Sequence, residues 1–363
     1  MKVAPIACAL TARGAECVLV HTGQHYDPQM SDTFFKQLCL PQPDFHLDVG
    51  SETHAVQTAR VMERFEPVLL ETRPDWVVVV GDVNSTLGVS LVVAKQREAL
   101  GCGLAHVEAG LRSGDWRMPE EINRVVTDQL SDLLLTPSPD ARQNLIREGI
   151  PDALVCFVGN VMIDTLLAQR DAARRLAMPD RLGLGDDYVV ATLHRPSNVD
   201  DEATLCTLVQ SLARIASERP VVLPLHPRTR ARAREFGLEP MLEAVRTTEP
   251  LGYLEMLGLT DGSSVVLTDS GGLQEETTAL GIPCVTLREQ TERPVTITHG
   301  TNRLAPWPPT PDGIVDAYRD ALTRRGQPFA GPEGWDGCAA KRVVDALVTT
   351  RPGARLRMSG RAQ

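Results

Sequence analysis

The chain has 363 residues and a formal net charge of −10, with 42% hydrophobic, 23% charged and 4% aromatic residues. Its length fits two domains that each bury a core, and its acidic balance argues against a nucleic-acid or acidic-membrane surface, which needs clustered Lys and Arg. Eight cysteines without a CxxC pair predict buried, reduced thiols, and no apolar stretch reaches the roughly 20 residues of a membrane span.

The first predicted element is a helix that ends at Gly14. Its apolar positions share one helical face, at Val3, Ile6, Ala7 and Leu10. The apolar run is too short for a signal peptide and is interrupted by Pro5, so we expect a cytoplasmic protein.

Short runs rich in Val and Leu follow, separated by helical patterns. They cover 16–22, 75–82, 103–110, 132–138 and 154–160 in the first half, and 188–196, 219–227, 263–272 and 282–289 in the second. Because these runs are apolar throughout, they indicate strands covered on both faces, as in parallel sheets with helices on both sides.

The pattern therefore predicts an α/β protein of two Rossmann-like domains, residues 1–165 and 166–345. We expect the carboxyl ends of both sets of strands to face a central cleft that holds the ligand. A closing helix is predicted at 339–348, and residues 346–363 are expected to form the end of this helix and a frayed basic tail.

In the first half, acidic side chains follow two predicted strands. Asp82 comes after VVVVG and Glu108 after GLAHV, which places both at one rim of the sheet. Each is equally well explained as a helix cap or a loop acid. Downstream, Pro119 predicts a helix start, so that Glu120 and Arg124 form an i, i+4 pair. The same segment also contains Arg112 and Glu121.

In the second half, TDSGGLQEE predicts a strand, a glycine turn and a helix. The backbone amides of Ser270, Gly271 and Gly272 suit a phosphate at the helix N-terminus. Glu275 and Glu276 lie one turn further, where acids accept hydrogen bonds from sugar hydroxyls or simply favour the helix dipole.

Basic side chains follow the other strands of this half. His194 and His226 come after two of them, each near Pro and Arg, and an imidazole there can hold a leaving diphosphate. Arg293 would add permanent positive charge to the same group. A lone histidine is more often structural, but two in equivalent places favour a binding role.

Eight motifs occur in an order that resembles the bacterial and archaeal UDP-N-acetylglucosamine 2-epimerases of the non-hydrolysing kind. They are GDVNST, HVEAGLRSGDWRMPEEINR, GNVMIDTLL, TLHRPSNVDD, HPRTR, TDSGGLQEE, LGIPCVTLREQTERP and GTNRL. The resemblance covers residue 1 to about 348. It implies a GT-B type fold, a homodimer, no metal or redox cofactor, and cytoplasmic interconversion of UDP-GlcNAc and UDP-ManNAc for surface polysaccharide precursors.

The resemblance also implies a reaction and the residues that perform it. UDP is eliminated across C1–C2 to give 2-acetamidoglucal and then re-added on the opposite stereochemical course. Acid and base roles are carried over to Asp82, Glu108 and Glu120, and a diphosphate-side role to His194. The substrate-binding positions that match are Lys2, Arg124, Ser270, Gly271, Gly272, Glu276 and Arg293, and the residue pattern described above adds Arg112, His226 and Glu275. Arg124 is expected to hold Glu120 or to contact the substrate.

The sequence departs from the family pattern in two places. MKVAPIACAL matches the segment after the family's first strand and its loop, with Lys2 at that motif's lysine. We therefore expect a slot in the first sheet and a natural start roughly a dozen or more residues earlier.

The family's activating site uses a Q-H-R stretch and a nearby arginine. Here QHYD (24–27) and GSETH (50–54) retain Gln24 and His25 without the arginines, so activation by substrate does not follow.

Three alternatives remain open at this point. A hydrolysing relative would release ManNAc and UDP because water intercepts the glucal. A glycosyltransferase of the same fold would need an acceptor groove and leaves the carboxylates without a clear role. An inactive homologue would bind the nucleotide sugar without turnover.

Overall fold

The computed structural model describes residues 1–23 and 41–353, which form two compact units. Unit 1 comprises Met1–Thr165 and the residues from Glu333 onward, and unit 2 comprises Leu166–Pro332. Gln24, His25 and Cys39, and residues 354–363 of the predicted tail, lie outside the described residues.

The described residues of unit 1 form six short parallel strands. They are β1 (Val20–His21), β2 (Phe45–His46), β3 (Trp76–Val80), β4 (Gly103–Val107), β5 (Leu133–Thr136) and β6 (Val155–Phe157). Its helices are Val3–Ala12, His54–Thr72, Asn84–Leu100, Pro119–Leu130, Pro139–Arg147 and Ala339–Thr349, with a 3-10 turn at Asp152–Leu154. Helix Val161–Arg175 contains the division between the units.

The sheet of unit 1 is in two parts. Strands β3, β4, β5 and β6 pair in that order, and β1 pairs with β2 in a separate two-stranded sheet. Among the described strands, none hydrogen-bonds to both β1 and β3. A side-chain hydrogen bond of 2.8 Å joins Thr22 Oγ1, just after β1, to Ser85 Oγ, just after β3.

Both faces of the four-stranded sheet are covered, which explains its uninterrupted apolar sequence. Leu104 faces a core shared with Phe65 and Val93 of the helices on one side. Its neighbour Ala105 faces the opposite core, which contains Ile6 and Val343. Successive strand residues point to opposite faces, so two helical layers require apolar residues at every position.

The second domain was predicted to cover residues 166–345, but the segment from Glu333 onward belongs to unit 1. Helix Ala339–Thr349 buries Val343 and Leu347 in the core of unit 1 together with Leu133 and Val158. The Asp164 carboxylate accepts hydrogen bonds from Ala339 N (3.1 Å) and Ala340 N (2.6 Å). The closing helix itself is confirmed, but its apolar face and its N-terminal amides belong to the first unit.

Unit 2 is a parallel six-stranded sheet with the order β12-β11-β10-β7-β8-β9. The strands are β7 (Val189–Thr192), β8 (Val221–Pro224), β9 (Arg246–Thr248), β10 (Val265–Thr268), β11 (Cys284–Thr286) and β12 (Asn302–Leu304). Counted within the unit, this is the Rossmann order 3-2-1-4-5-6 read from the other edge, and the direction of winding reverses between β7 and β10.

The helices of unit 2 connect these strands and cover both faces of the sheet. They are Met178–Arg181, Pro196–Val199, Glu202–Ala216, Pro227–Glu235, Glu239–Leu242, Tyr253–Asp261, Gly271–Leu280, Val295–Thr298 and Pro311–Leu322. No helix in the described parts of the chain combines the length and apolar character needed to cross a membrane.

Every strand predicted from an apolar run is present, although each is shorter than its run, and three further strands were not predicted. Strand β2 has two residues, β9 reads Arg-Thr-Thr with two exposed positions, and β12 reads Asn-Arg-Leu. In a parallel sheet the outer strands cover less of the core, so these segments lack the apolar signal of a central strand.

Candidate active site

The carboxyl ends of β3 and β4 carry two acidic residues on tight turns. Asp82 follows Gly81, whose φ is +75°, and Glu108 itself has a φ of +74°. A side chain larger than glycine rarely adopts this left-handed region, and the surrounding structure must stabilise the conformation. Glu108 is 5% exposed, and its backbone N–H donates to Leu135 O of β5 at 3.0 Å.

Lys2 lies against Glu108. Its ammonium group donates to Glu108 Oε2, and both groups approach the turn at Gly81. A Cβ at position 81 would lie 3.4 Å from Glu108 Oε2 and 3.5 Å from Lys2 Nζ. A Cβ would therefore fit beside this ion pair, and the positive φ of Gly81 is what favours glycine at this turn.

Arg124 joins two carboxylates, and one of them differs from the prediction. Its guanidinium contacts Asp82 Oδ2 at 2.7 Å and Glu121 Oε2 at 2.7 Å. The predicted contact between Arg124 and Glu120 is wrong, because the buried Glu121 points toward the arginine while Glu120, on the neighbouring helical position, is half-buried.

Glu121 also fixes the loop that precedes helix Pro119–Leu130. Its carboxylate accepts hydrogen bonds from Ser113 N (2.9 Å) and Gly114 N (2.8 Å). Burial alone would raise the pKa of Glu121, but these two amides and Arg124 outweigh it and lower the pKa. The negative charge of Glu121 thus has a structural function.

Arg112, predicted to bind substrate, is engaged by two protein carboxylates. Its Nη2 lies 2.7 Å from Asp128 Oδ2 and 2.6 Å from Glu148 Oε2, and its Nη1 donates to Leu111 O at 2.7 Å. These contacts use most of the guanidinium donors, so the geometry favours a supporting role.

In unit 2, the turn between β10 and helix Gly271–Leu280 lies at the point where the winding of the sheet reverses. Ser270 caps this helix, with its side chain accepting from Leu273 N at 3.5 Å. A Cβ at position 271 would lie 2.7 Å from Arg293 Nη1, so a side chain here would displace the guanidinium. A helix N-terminus and an arginine together form a site for an anion.

His194 follows β7, on the other side of the reversal, and is oriented by a buried aspartate. Its Nδ1 lies 2.8 Å from Asp269 Oδ1, while Asp269 Oδ2 accepts from His194 N and Arg195 N at 2.9 Å each. Burial would raise the pKa of Asp269, but the hydrogen bond and charge of His194 and the two amides lower it. The Nε2 edge of the ring remains available because the side chain is 39% exposed.

His226 lies beside this pair. Its ring centroid is 5.9 Å from that of His194, and its Nδ1 accepts from Arg228 N at 3.2 Å. Burial and the neighbouring His194 lower the pKa of His226. Because Nδ1 accepts a hydrogen bond, the ring proton lies on Nε2. The structure thus brings together the two histidines that the sequence places after separate strands.

Glu275 and Glu276 are both buried, at 2% and 5% exposure. Glu275 Oε1 lies 3.0 Å from Arg293 Nε. Burial and the charge of Glu275 raise the pKa of Glu276 to about 8, although a hydrogen bond from Tyr253 opposes this shift.

Glu121, Tyr253 and Asp269 contact predicted site residues but were not themselves among them. Asp269 carried a usable signal, since it directly follows β10 and precedes the glycine turn. Tyr253 had none, because it starts a helix far from Glu276 in the sequence. Among residues 1–23 and 41–353, no group of three or more His, Cys, Asp or Glu side chains is arranged to hold a metal ion.

Comparison with known proteins agrees with these observations. A sequence model described as UDP-N-acetylglucosamine 2-epimerase matches residues 9–348. The chain belongs to the UDP-N-acetylglucosamine 2-epimerase family. A member of this family from Methanocaldococcus jannaschii, named UDP-N-acetylglucosamine 2-epimerase, is 42% identical over 96% of this chain and 95% of that protein. The UDP-2,3-diacetamido-2,3-dideoxy-D-glucuronate 2-epimerase of Pseudomonas aeruginosa is 44% identical over 91% of this chain and 90% of that protein.

Solved structures of UDP-N-acetylglucosamine 2-epimerases confirm the fold class. The crystal structure of the Methanocaldococcus jannaschii enzyme in complex with UDP-GlcNAc and UDP has a TM-score of 0.86 and 39% sequence identity, covering 96% of each chain. The predicted α/β fold with two Rossmann-like units of the GT-B type is therefore correct.

Proposed function

We propose that this protein catalyses the reversible C2 epimerisation of UDP-GlcNAc to UDP-ManNAc without net hydrolysis. The observation that carries the proposal is the acid and base group of unit 1, in a chain of this family. There, Glu108 contacts Lys2, and Asp82 contacts Arg124. Each of these two proposed catalytic carboxylates thus has a cation that fixes its orientation.

In the proposed reaction, a carboxylate removes the C2 proton and the C–H electron pair forms the C1=C2 bond. The C1–O bond breaks at the same time, and UDP leaves with the electron pair to give 2-acetamidoglucal. UDP then adds back to C1, and a proton is delivered to the opposite face of C2. Because protons move on both faces, the reaction needs more than one acid or base. We propose these roles for Asp82, Glu108 and Glu120.

The groups of unit 2 suit the leaving diphosphate and the nucleotide. We propose that His194, aligned by Asp269, and Arg293 stabilise the developing negative charge, together with the amides of Ser270, Gly271 and Gly272. We assign His226 to the same diphosphate. Glu276 is proposed to accept hydrogen bonds from the ribose hydroxyls, with Glu275 orienting Arg293.

Two further properties complete the proposal. We propose that the protein is a homodimer, which analytical ultracentrifugation tests directly. We also propose that it acts in the cytoplasm and supplies precursors of surface polysaccharides. A strain lacking the gene should then lose UDP-ManNAc and the polysaccharide built from it.

The decisive experiment incubates the protein with UDP-GlcNAc in D2O and follows deuterium at C2 by NMR. We expect exchange at C2 together with a UDP-ManNAc signal. Free ManNAc with stoichiometric UDP would instead identify a hydrolysing enzyme, and binding of UDP-GlcNAc without exchange would identify an inactive homologue.

Variants of the carboxylates test their roles in the same assay. Asp82→Asn, Glu108→Gln and Glu120→Gln should each slow exchange by about 10²–10⁴-fold, the usual contribution of a positioned acid or base. Glu98→Gln is the matched control, because Glu98 is an exposed acid on helix Asn84–Leu100.

A second substrate is a specific alternative because of the relative from Pseudomonas aeruginosa. The name of that protein specifies a UDP-2,3-diacetamido-2,3-dideoxy-D-glucuronate, and its identity to this chain is 44%. Comparing kcat/KM for this sugar and for UDP-GlcNAc under the same conditions decides between them. A higher value for the diacetamido uronate would replace the proposed substrate and leave the proposed chemistry unchanged.

A further inference from the structure

His106 lies beneath the turns that carry two of the proposed catalytic carboxylates, and it contacts no solvent. It belongs to β4, two residues before Glu108, and is 0% exposed. Its Nδ1 lies 2.6 Å from Asp128 Oδ1, and its Nε2 lies 2.9 Å from the carbonyl oxygen of Gly81. The ring therefore connects helix Pro119–Leu130 to the turn that precedes Asp82.

Both partners of the His106 ring accept hydrogen bonds and neither donates. A carbonyl oxygen has no proton, and an ionised carboxylate has none either. Asp128 is held ionised because its other oxygen accepts from Gly110 N at 3.1 Å and from Arg112 Nη2 at 2.7 Å. A neutral imidazole has only one N–H, so two accepting partners require a protonated ring.

The charges around His106 agree with this state. Burial disfavours the charged ring, but Asp128, the Gly81 carbonyl and Glu108 outweigh it and raise the pKa of His106. For Asp128, burial would raise the pKa, whereas His106 and Arg112 lower it.

The hydrogen bonds of the neighbouring turns meet at the same place. Gly81 N donates to Val107 O at 3.2 Å, so the Gly81 turn is attached to β4 through both its amide and its carbonyl. Gly110, which follows Glu108 by two residues, has a φ of +83° and is held by Asp128. Displacing His106 would therefore release the turn of Asp82 and the turn of Glu108 together.

We propose that His106 is a positioning residue for the carboxylates, a charged imidazolium that binds Asp128 and the Gly81 carbonyl and fixes Asp82 beside Glu108. The negative charge of Glu108 in turn favours the protonated ring. The role in catalysis rests on the function proposed above, whereas the charge state of the ring does not.

The first test reads the ring directly in the intact protein. Two-bond 15N–1H NMR spectra of protein labelled with 15N-histidine should show one histidine with both nitrogens protonated, unchanged from pH 6 to pH 9. The signal should disappear in His106→Gln. A neutral tautomer at position 106 at neutral pH would overturn the proposal, whether or not the protein is active.

Asp128→Asn separates the charge of His106 from its hydrogen bonds. The introduced carboxamide can still accept from Gly110 N and Arg112 through its oxygen, and its NH2 can donate to Nδ1 of a neutral ring that keeps Nε2–H toward Gly81. We expect the acid limb of the kcat profile to move to higher pH, since the site of the proposed catalytic carboxylates loses a nearby positive charge. KM should change less than about twofold. An unchanged acid limb would show that the charge of His106 does not affect catalysis and would contradict its proposed positioning role.

Asp132→Asn is the matched control for this variant. Asp132 is also 0% exposed, accepts from a backbone amide, Leu104 N, at 3.0 Å, and contacts Arg97 at 3.2 Å, at the opposite end of β4. This variant should lose stability but keep the acid limb of the wild-type protein.

Hydrogen exchange tests the positioning role without relying on turnover. In His106→Gln the amides of residues 81–83 and 108–110 should exchange at least about tenfold faster, while those after β7 and β10 stay unchanged. For an active enzyme, kcat should fall by about 10²-fold, the cost of misplacing reacting groups by about an ångström. Unchanged exchange at these turns would contradict the positioning role. Failure of all turnover would contradict only the proposed function.

Discussion

Neighbouring residues at these sites stabilise backbone conformations and buried charges that are unfavourable in isolation. Glu108 has a left-handed backbone at 5% exposure, and Glu276 is a buried acid beside a second acid. Conformations and charges of this kind persist only where surrounding contacts determine them, and they occur preferentially at functional sites.

Glu276 makes stability depend on pH in a defined direction. Its pKa is raised from 4.5 to about 8 in the folded protein, so the folded state keeps a proton that the unfolded state releases. Stability should fall as the pH rises from about 4.5 to about 8, and the loss should then stay constant.

Glu276→Gln should remove this dependence. The amide can accept from Tyr253 and donate to Glu275, so we expect Tm at pH 8.5 to rise by on the order of 5 °C, with little change at pH 5. UDP affinity should fall in the same variant if Glu276 binds the ribose. Thermal unfolding across pH and calorimetry with UDP measure both effects, and equal changes in Tm at both pH values would contradict the assigned pKa.

The sequence predicted which polar residues follow the strands, but it did not predict which side chains contact each other. Asp82, Glu108 and His194 follow strands as predicted, because the end of an apolar strand is visible in the sequence. The contacts of Arg124 with Asp82 and of His194 with Asp269 join segments 42 and 75 residues apart. Such pairs depend on how strands are ordered in a sheet, and local periodicity does not encode that order.

At the scale of elements, the proposed anion site at Gly271 depends on three structural requirements. The turn must follow β10, the helix must begin at Gly271, and Arg293 must approach the first turn of that helix. The first two are visible in TDSGGLQEE, whereas the third depends on a loop after β11.

Gly271→Ala should therefore weaken UDP binding, although alanine has the higher helix propensity. Alanine favours a helix more than glycine does, but its Cβ would lie 2.7 Å from Arg293 Nη1 and displace the guanidinium. We expect UDP affinity to fall by about 10–100-fold, the loss of one charged hydrogen bond. Gly185→Ala, where a Cβ meets nothing within 4 Å, is the control for calorimetry. Unchanged affinity in Gly271→Ala would argue against a diphosphate at this helix.

The Asp164 carboxylate connects two helices that are far apart in the sequence. It accepts from the first two amides of helix Ala339–Thr349, which lack partners within that helix. Asp164→Ala should destabilise unit 1 by about 1–3 kcal/mol, while Asp164→Asn, which retains one acceptor, should cost about half as much. Urea unfolding measures the difference, and equal losses in the two variants would show that the hydrogen bonds contribute little.

At the scale of the whole molecule, unit 1 is assembled from both ends of the described chain. Residues Met1–Thr165 and the segment from Glu333 onward share one core, and the chain of unit 2 is inserted between them. The restart of the strand pattern showed two units from sequence alone. The return of the last helix was not visible, because an amphipathic helix does not indicate which core it joins.

Deleting the residues after Pro332 should therefore destabilise unit 1, although most of that unit lies far from this segment in the sequence. Buried side chains such as Val343, Val344 and Leu347 each contribute roughly 1.5–3 kcal/mol, and a domain is stable by only about 5–15 kcal/mol. Hydrogen exchange should show β4 and β5 losing protection while β7 and β10 retain theirs. Uniform loss in both units would contradict separate cores.

The divided sheet of unit 1 has a consequence for how the protein behaves in concentrated solution. Strand β3 pairs with β4 along one side only, and no other described strand hydrogen-bonds to it. An edge of this kind, lined by half-buried Trp76, Val77 and Val78, is a template on which a foreign extended chain can add. We therefore expect the 363-residue chain to self-associate beyond the proposed homodimer as its concentration rises, and a short β-forming peptide to suppress that association.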